Sequence, residues 1–121
     1  MARLVRFNLR YTARHPEFVT LLNQENMHQA RFLGTSGRVQ AMYSPLLASL
    51  REVLARGAAA GVFRQDADPL QTYVTLVALG HFYVANAHTL SAIFKTRLTA
   101  EAALGAREDH CVEVLLGYLR P

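Results

Sequence analysis

Few residues in the chain are of types that do covalent or metal chemistry, and their spacing argues against it. Glu25 and His28 have the Glu-x-x-His spacing of di-iron helical bundles, which puts both side chains on one helix face. Such a centre needs a second pair and two further glutamates on facing helices, and the sequence has no second pair. His81 and His88 lie two turns apart, about 10 Å by helix rise, too far to share one ion. His110 and Cys111 are neighbours, and adjacent helical residues point about 100° apart, so they are not a nucleophile and its base. Cys111 reads instead as a small apolar residue. No glycine-rich phosphate loop and no zinc-ligand spacing is present. The expectation is a protein without catalytic residues, metal or cofactor, one that acts by binding.

The polar residues that remain of interest stand on otherwise apolar helix faces. Asn8 falls with Leu4, Phe7 and Tyr11; Glu25 falls with Phe18, Leu21 and Leu22, and Asn26 lies one position round. Tyr43 belongs to an apolar stripe that includes Leu46, and His81, Tyr83 and Asn86 belong to a long uncharged segment. Taken singly, each is explained by a structural hydrogen bond, and a buried Glu25 by pairing with Arg31 or a cation on another helix.

The elements that position these groups are helical throughout, with five helices expected. The first ends at His15-Pro16, because proline lacks a donor and disfavours a helical residue before it. Pro16 then opens "PEFVTLLNQENMHQ", with Glu17 near its positive end. Gly34 and Gly37 mark a break. The third helix carries Val39, Met42, Tyr43, Leu46, Leu47, Leu50, Val53 and Leu54 as a core stripe, and Pro45 predicts a kink or a fresh start capped by Ser44. It ends in "RGAAAGVF", where Gly61 suits a left-handed cap and Val62 the accompanying apolar contact. Asp68-Pro69-Leu70-Gln71 is a helix start with acid cap, proline and capping-box glutamine. Thr99 is expected to cap the last helix, which buries Leu104, Cys111, Val114, Leu115 and Tyr118.

The helix opened by Asp68 has no charged residue before Lys95. Its length would allow a membrane span. Gln71, His81, Asn86 and His88 would each be costly in hydrocarbon, so the membrane reading is set aside. The wheel offers two apolar stripes instead. One holds Leu70, Tyr73, Val74, Val77, His81, Val84 and His88; the other holds Leu76, Leu79, Tyr83, Leu90 and Phe94, with a milder face of Gln71, Thr75, Phe82, Asn86 and Thr89 between them. Two stripes imply two packing partners: the domain's own core and a second subunit. Together with the last helix this gives a four-helix interface between two copies.

Composition is consistent with that picture. At 121 residues the chain builds one domain, and 51% apolar against 18% charged residues leaves surface for a partner copy to cover. The single cysteine excludes an intrachain disulfide and fits a reducing cytoplasm. No signal peptide is read at the start. The net charge of +4 comes from Arg3, Arg6, Arg10 and Arg14, since the nine basic and nine acidic residues beyond them balance. A nucleic-acid binder over its whole surface would not be charged this way.

The order "HPEF", "LLNQEN", "RGAAAGVFR", "DADP", a long uncharged helix and a closing amphipathic one resembles the C-terminal ligand-binding and dimerisation domain of TetR-family transcriptional regulators. The subgroup with "HPE…LLxxE" in its second helix is the most similar. The resemblance covers the whole of residues 1–121, through diffuse motifs. It implies an all-α homodimer whose last two helices form the intersubunit bundle, and a small apolar or aromatic effector bound among the preceding helices. On that reading Asn8, Tyr11, Phe18, Leu22, Asn26, Tyr43, Leu46, Tyr83 and Asn86 are the candidate pocket. Tyr73, Val77, His81, Val84, His88, Cys111, Val114, Leu115 and Tyr118 are the candidate dimer contacts. The helix-turn-helix domain of such regulators is absent from these residues, so operator DNA would be reached only through a missing N-terminal part, with the chain a fragment or a truncated protein. The arginine stripe would lie towards the DNA-reading heads, although a solvated face with stems covering apolar surface accounts for it. The alternative function is a stand-alone helical homodimer that acts as a protein-interaction scaffold; a cavity favours the regulator and a filled core the scaffold.

Overall fold

A computed structural model describes all residues 1–121. It is all-helical: α1 (Ala2–Arg14), α2 (Pro16–Met27), a 3-10 turn (Leu33–Thr35), α3 (Gly37–Ala59), α4 (Pro69–Ala85), α5 (Ala87–Phe94) and α6 (Glu101–Leu119). Six helices stand where five were expected, because the uncharged segment breaks at Asn86. There the side-chain amide donates to Phe82 O at 2.8 Å, beside the backbone N–H on the same carbonyl at 3.1 Å. A short amide that competes for helix carbonyls is a local reason for the bend. No helix is long and apolar enough to cross a membrane.

The core lies where α1, α3, α4 and α6 meet. Val5, Leu50, Leu54, Leu76, Cys111, Leu115 and Leu119 form one buried cluster. The inner face of α1 is therefore Val5, Leu9 and Thr12, whereas Phe7 and Tyr11, on the flank that carries Asn8, are more exposed. On α4 the buried line is Thr72, Leu76, Gly80 and Tyr83. Gly80 allows the crossing with α1: a Cβ there would stand 3.3 Å from both Asn8 Oδ1 and a Leu9 methyl.

Local signals explain most helix ends. Asp68 accepts the Gln71 N–H at 2.7 Å, as the cap motif requires. Gly61 takes φ +68°, and Val62 N–H and Gly61 N–H return to Gly57 O and Ala58 O, the paired bonds of a left-handed cap. The apolar contact is not Val62, which is exposed, but Phe63, whose ring covers Gly57. α3 runs unbroken through Pro45, and Ser44 caps nothing: its hydroxyl donates back to Gln40 O at 3.1 Å. Ala100, not Thr99, is the N-cap of α6, and no side chain caps it. Glu25 is buried without a cation; its carboxylate accepts the Leu33 N–H at 3.0 Å and so ties the turn after α2 to that helix.

The arginine stripe is not simply solvated. Arg10 forms a two-pronged pair with Glu108 on α6, at 2.7 and 3.0 Å, and a further pair with Glu101; Arg6 meets Asp109 at 2.7 Å. Glu108 is only 7% exposed, so Arg10 is its required counter-charge. The two glutamates push the guanidinium pKa further up. This clasp ties α1 to α6.

Candidate ligand chamber and subunit-facing surface

A chamber of about 170 Å³ opens between α1, α2, α3 and α4. Its walls are Asn8, Tyr11 and Thr12 from α1, Phe18 and Leu22 from α2, Tyr43 and Leu46 from α3, and Tyr73, Val77 and His81 from α4. Helical spacing explains the convergence: 8, 11 and 12 share one flank of α1, and 73, 77 and 81 recur every fourth residue on α4. Two edge-to-face aromatic pairs frame it, Tyr11–Phe18 at 6.2 Å and Tyr43–Tyr73 at 6.2 Å. Tyr43, Leu46 and Tyr73 also wall an adjoining recess of about 170 Å³ with Gln40, Ser44, Leu47 and Leu70. Burial pushes the Tyr73 phenol up to about 12, and the nearby Tyr43 adds to the effect.

No aspartate, glutamate, lysine or arginine lines the chamber. Thr12 is already engaged, donating its hydroxyl to Asn8 O at 2.9 Å. Asn8 Oδ1 differs: it is the one buried side-chain polar atom in the chain with no hydrogen-bond partner. Small ligands are recognised in sites of this kind, apolar and aromatic walls with a few polar groups that water does not satisfy.

Of the nine residues expected around a ligand, the structure gathers six: Asn8, Tyr11, Phe18, Leu22, Tyr43 and Leu46. The other three have structural duties. Asn26 donates to Leu22 O at 2.8 Å on its own helix, Asn86 bends the α4–α5 junction, and Tyr83 donates its hydroxyl to Leu98 O at 2.7 Å, holding the loop before α6. Tyr73, Val77 and His81, expected against a partner subunit, face the chamber. The signal that could have placed them was Gly80, the small residue that lets α1 approach α4 and turns the neighbouring stripe towards it.

Two more of the expected subunit contacts lie inside the domain. Cys111 is 1% and Leu115 0% exposed, both in the core cluster, so neither has surface to offer a partner. Cys111 contacts Leu79 O, 3.7 Å from its sulfur, and burial pushes the thiol pKa up. Val84 is half-buried and His88 exposed beside a separate recess with Tyr83 and Leu104. Val114 and Tyr118 are exposed on α6, as a contact surface requires. On α4 the open face is Gln71, Val74, Thr75, Ala78 and Phe82, uncharged and with Phe82 60% exposed. It lies beside α6, since Arg107 reaches across to Leu79 O at 2.8 Å and stacks over the Tyr83 ring.

The domain is thus all-helical, with an uncharged chamber between α1 and α4 and with α4 and α6 open along one side. The chain belongs to the family described as tetracycline repressor-like, C-terminal domain, whose profile matches residues 1–115. It is also 36% identical over 103 residues to the HTH-type transcriptional repressor NicS of Pseudomonas putida, a match that covers 85% of this chain and 49% of that protein. The chain thus spans about half the length of this relative. No solved structure matches it. The family is one of regulatory domains, and it agrees with the all-α fold.

Proposed function

We propose that the chain is the effector-binding and dimerisation half of a cytoplasmic transcriptional repressor, with operator DNA held by a separate helix-turn-helix domain. The observation that carries this reading is the chamber between α1 and α4, uncharged, walled by aromatic rings and containing an unsatisfied amide. An interaction scaffold has no use for such a space, which favours the regulator over a bare dimer. The effector is a small apolar or aromatic molecule, because no carboxylate, lysine or arginine lines the chamber to repay the desolvation of a charged one. Two copies meet through the open faces of α4 and α6 and form a four-helix interface about a two-fold axis.

A ligand acts here only through different affinities for two arrangements of the domain. α1 is the element suited to transmit them: Asn8 and Tyr11 face the chamber, while Arg6 and Arg10 on the same helix hold α6. The test is sedimentation of the 13.5 kDa chain at micromolar concentration. A dimer is expected; a clean monomer refutes the assembly, and with it the role of the open α4 face.

A further inference from the structure

Asn8 stands apart from every other polar side chain in the molecule. Its Oδ1 is sealed against the α1–α4 crossing, with the Gly80 backbone opposite, and accepts nothing. The nearest candidate donor on its own helix, the Thr12 hydroxyl, is committed to the Asn8 main-chain carbonyl. No hydrogen bond within the chain holds the carboxamide in place, and it lines the chamber. A buried acceptor without a partner costs stability, and evolution commonly tolerates that cost at functional sites. Filling the position with an apolar residue of the same size would remove the penalty at once, and yet a carboxamide with no partner in its own chain stands in the chamber wall.

We infer that Asn8 is the specificity-determining residue of the chamber, and that its ligand is an uncharged single-ring aromatic molecule carrying a polar group, such as a hydroxyl, that hydrogen-bonds the Asn8 carboxamide. The inference rests on the chamber being the effector site. With Oδ1 at the crossing the Nδ2 amide is the end left for the chamber, and turning the carboxamide about its Cβ–Cγ bond exchanges the two ends without breaking a hydrogen bond, so the group can meet a ligand acceptor or a ligand donor. The volume suits one ring: a dry cavity of roughly 150 Å³ holds benzene, and this chamber measures about 170 Å³. Tyr11–Phe18 and Tyr43–Tyr73 supply ring edges and faces on either side. Neutrality follows from the lining, which holds no arginine or lysine for an anion and no carboxylate for a cation; His81 alone could become charged.

The experiment compares phenol, toluene and benzoate as probes on the 121-residue chain and on Asn8→Leu, with affinity read from chemical-shift titration and folding from thermal melts. Wild type should bind phenol about tenfold more tightly than toluene, the worth of one buried neutral hydrogen bond, and benzoate most weakly. Asn8→Leu should bind the two neutral rings alike and melt no lower than wild type, because an unpaired polar atom has gone. A wild type that holds phenol and toluene equally, or a phenol preference that survives Asn8→Leu, overturns the role of Asn8 and leaves the chamber standing. Benzoate binding best overturns the neutral class and points to His81 as its partner. If no ring binds at all, the chamber is not an effector site and both readings fall. A melting temperature for Asn8→Leu well below wild type shows a structural duty for the amide and refutes the proposal independently of any ligand.

Discussion

Phe82 tests the proposed assembly most sharply. Its ring is 60% exposed at the C-terminal end of the uncharged face formed by Gln71, Val74, Thr75 and Ala78. A phenylalanine side chain buries on the order of 150–250 Å², so covering the exposed part removes roughly 120 Å² from water in each copy. At about 25 cal/mol per Å² this is worth about 3 kcal/mol. Truncation to alanine leaves a methyl group and forfeits about 2 kcal/mol per copy. A two-fold interface counts the change twice, so Phe82→Ala should weaken the dimer by about 4 kcal/mol, close to three decades in Kd. Sedimentation equilibrium across a concentration series reads that shift, with circular dichroism confirming an unchanged helical monomer. Phe32→Ala is the control: it is equally exposed, at 64%, but sits in the turn between α2 and α3. If Phe82→Ala dimerises as wild type does, or the two variants weaken assembly alike, the α4 face is not the interface and the exposed rings need another explanation.

Three further outcomes follow from groups already placed. Arg10→Ala strands the buried Glu108 carboxylate, whereas Glu101→Ala removes only the solvent-side partner; urea midpoints should fall further for the first, and equal midpoints would sink the clasp as a stability element. Tyr73 is neutral in the folded chamber up to about pH 12, while an unfolded tyrosine ionises near 10. Its contribution is therefore intact below pH 10 and is lost as pH rises towards 12; Tyr73→Phe should flatten the fall in stability over that window, and an unchanged slope argues that the phenol is solvated. Cys111, 1% exposed and with its thiol pKa raised by burial, should react with a thiol-specific disulfide reagent only as fast as the chain unfolds. Stoichiometric labelling of the native protein within seconds would contradict its placement.

The sequence alone determined what depends on local chemistry. The proline after His15, the Asp68 cap and the left-handed Gly61 each fix a helix end through groups within a few residues, and each is found in the structure. Six chamber residues were legible for a related reason, since a polar or aromatic residue on an apolar face is visible on a helical wheel. What the wheel does not contain is which neighbour each face meets. Residues 73, 77 and 81 and residues 71, 75 and 82 are two flanks of one helix, both uncharged, and either could have met a second copy. Only the crossing of α1 over Gly80 turned the first flank into the chamber and left the second open. The same applies to the arginines of α1, whose partners stand more than ninety residues away on α6 and come into reach only when the two helices lie side by side. Asn86 and Tyr83, expected as ligand contacts, do not line the chamber; a hydrogen bond to a carbonyl gives no sign in the residue type, and theirs go to a helix bend and a loop. Helix propensity and capping act over one turn, whereas burial and pairing are settled by packing across the whole chain, and the site belongs to the second kind.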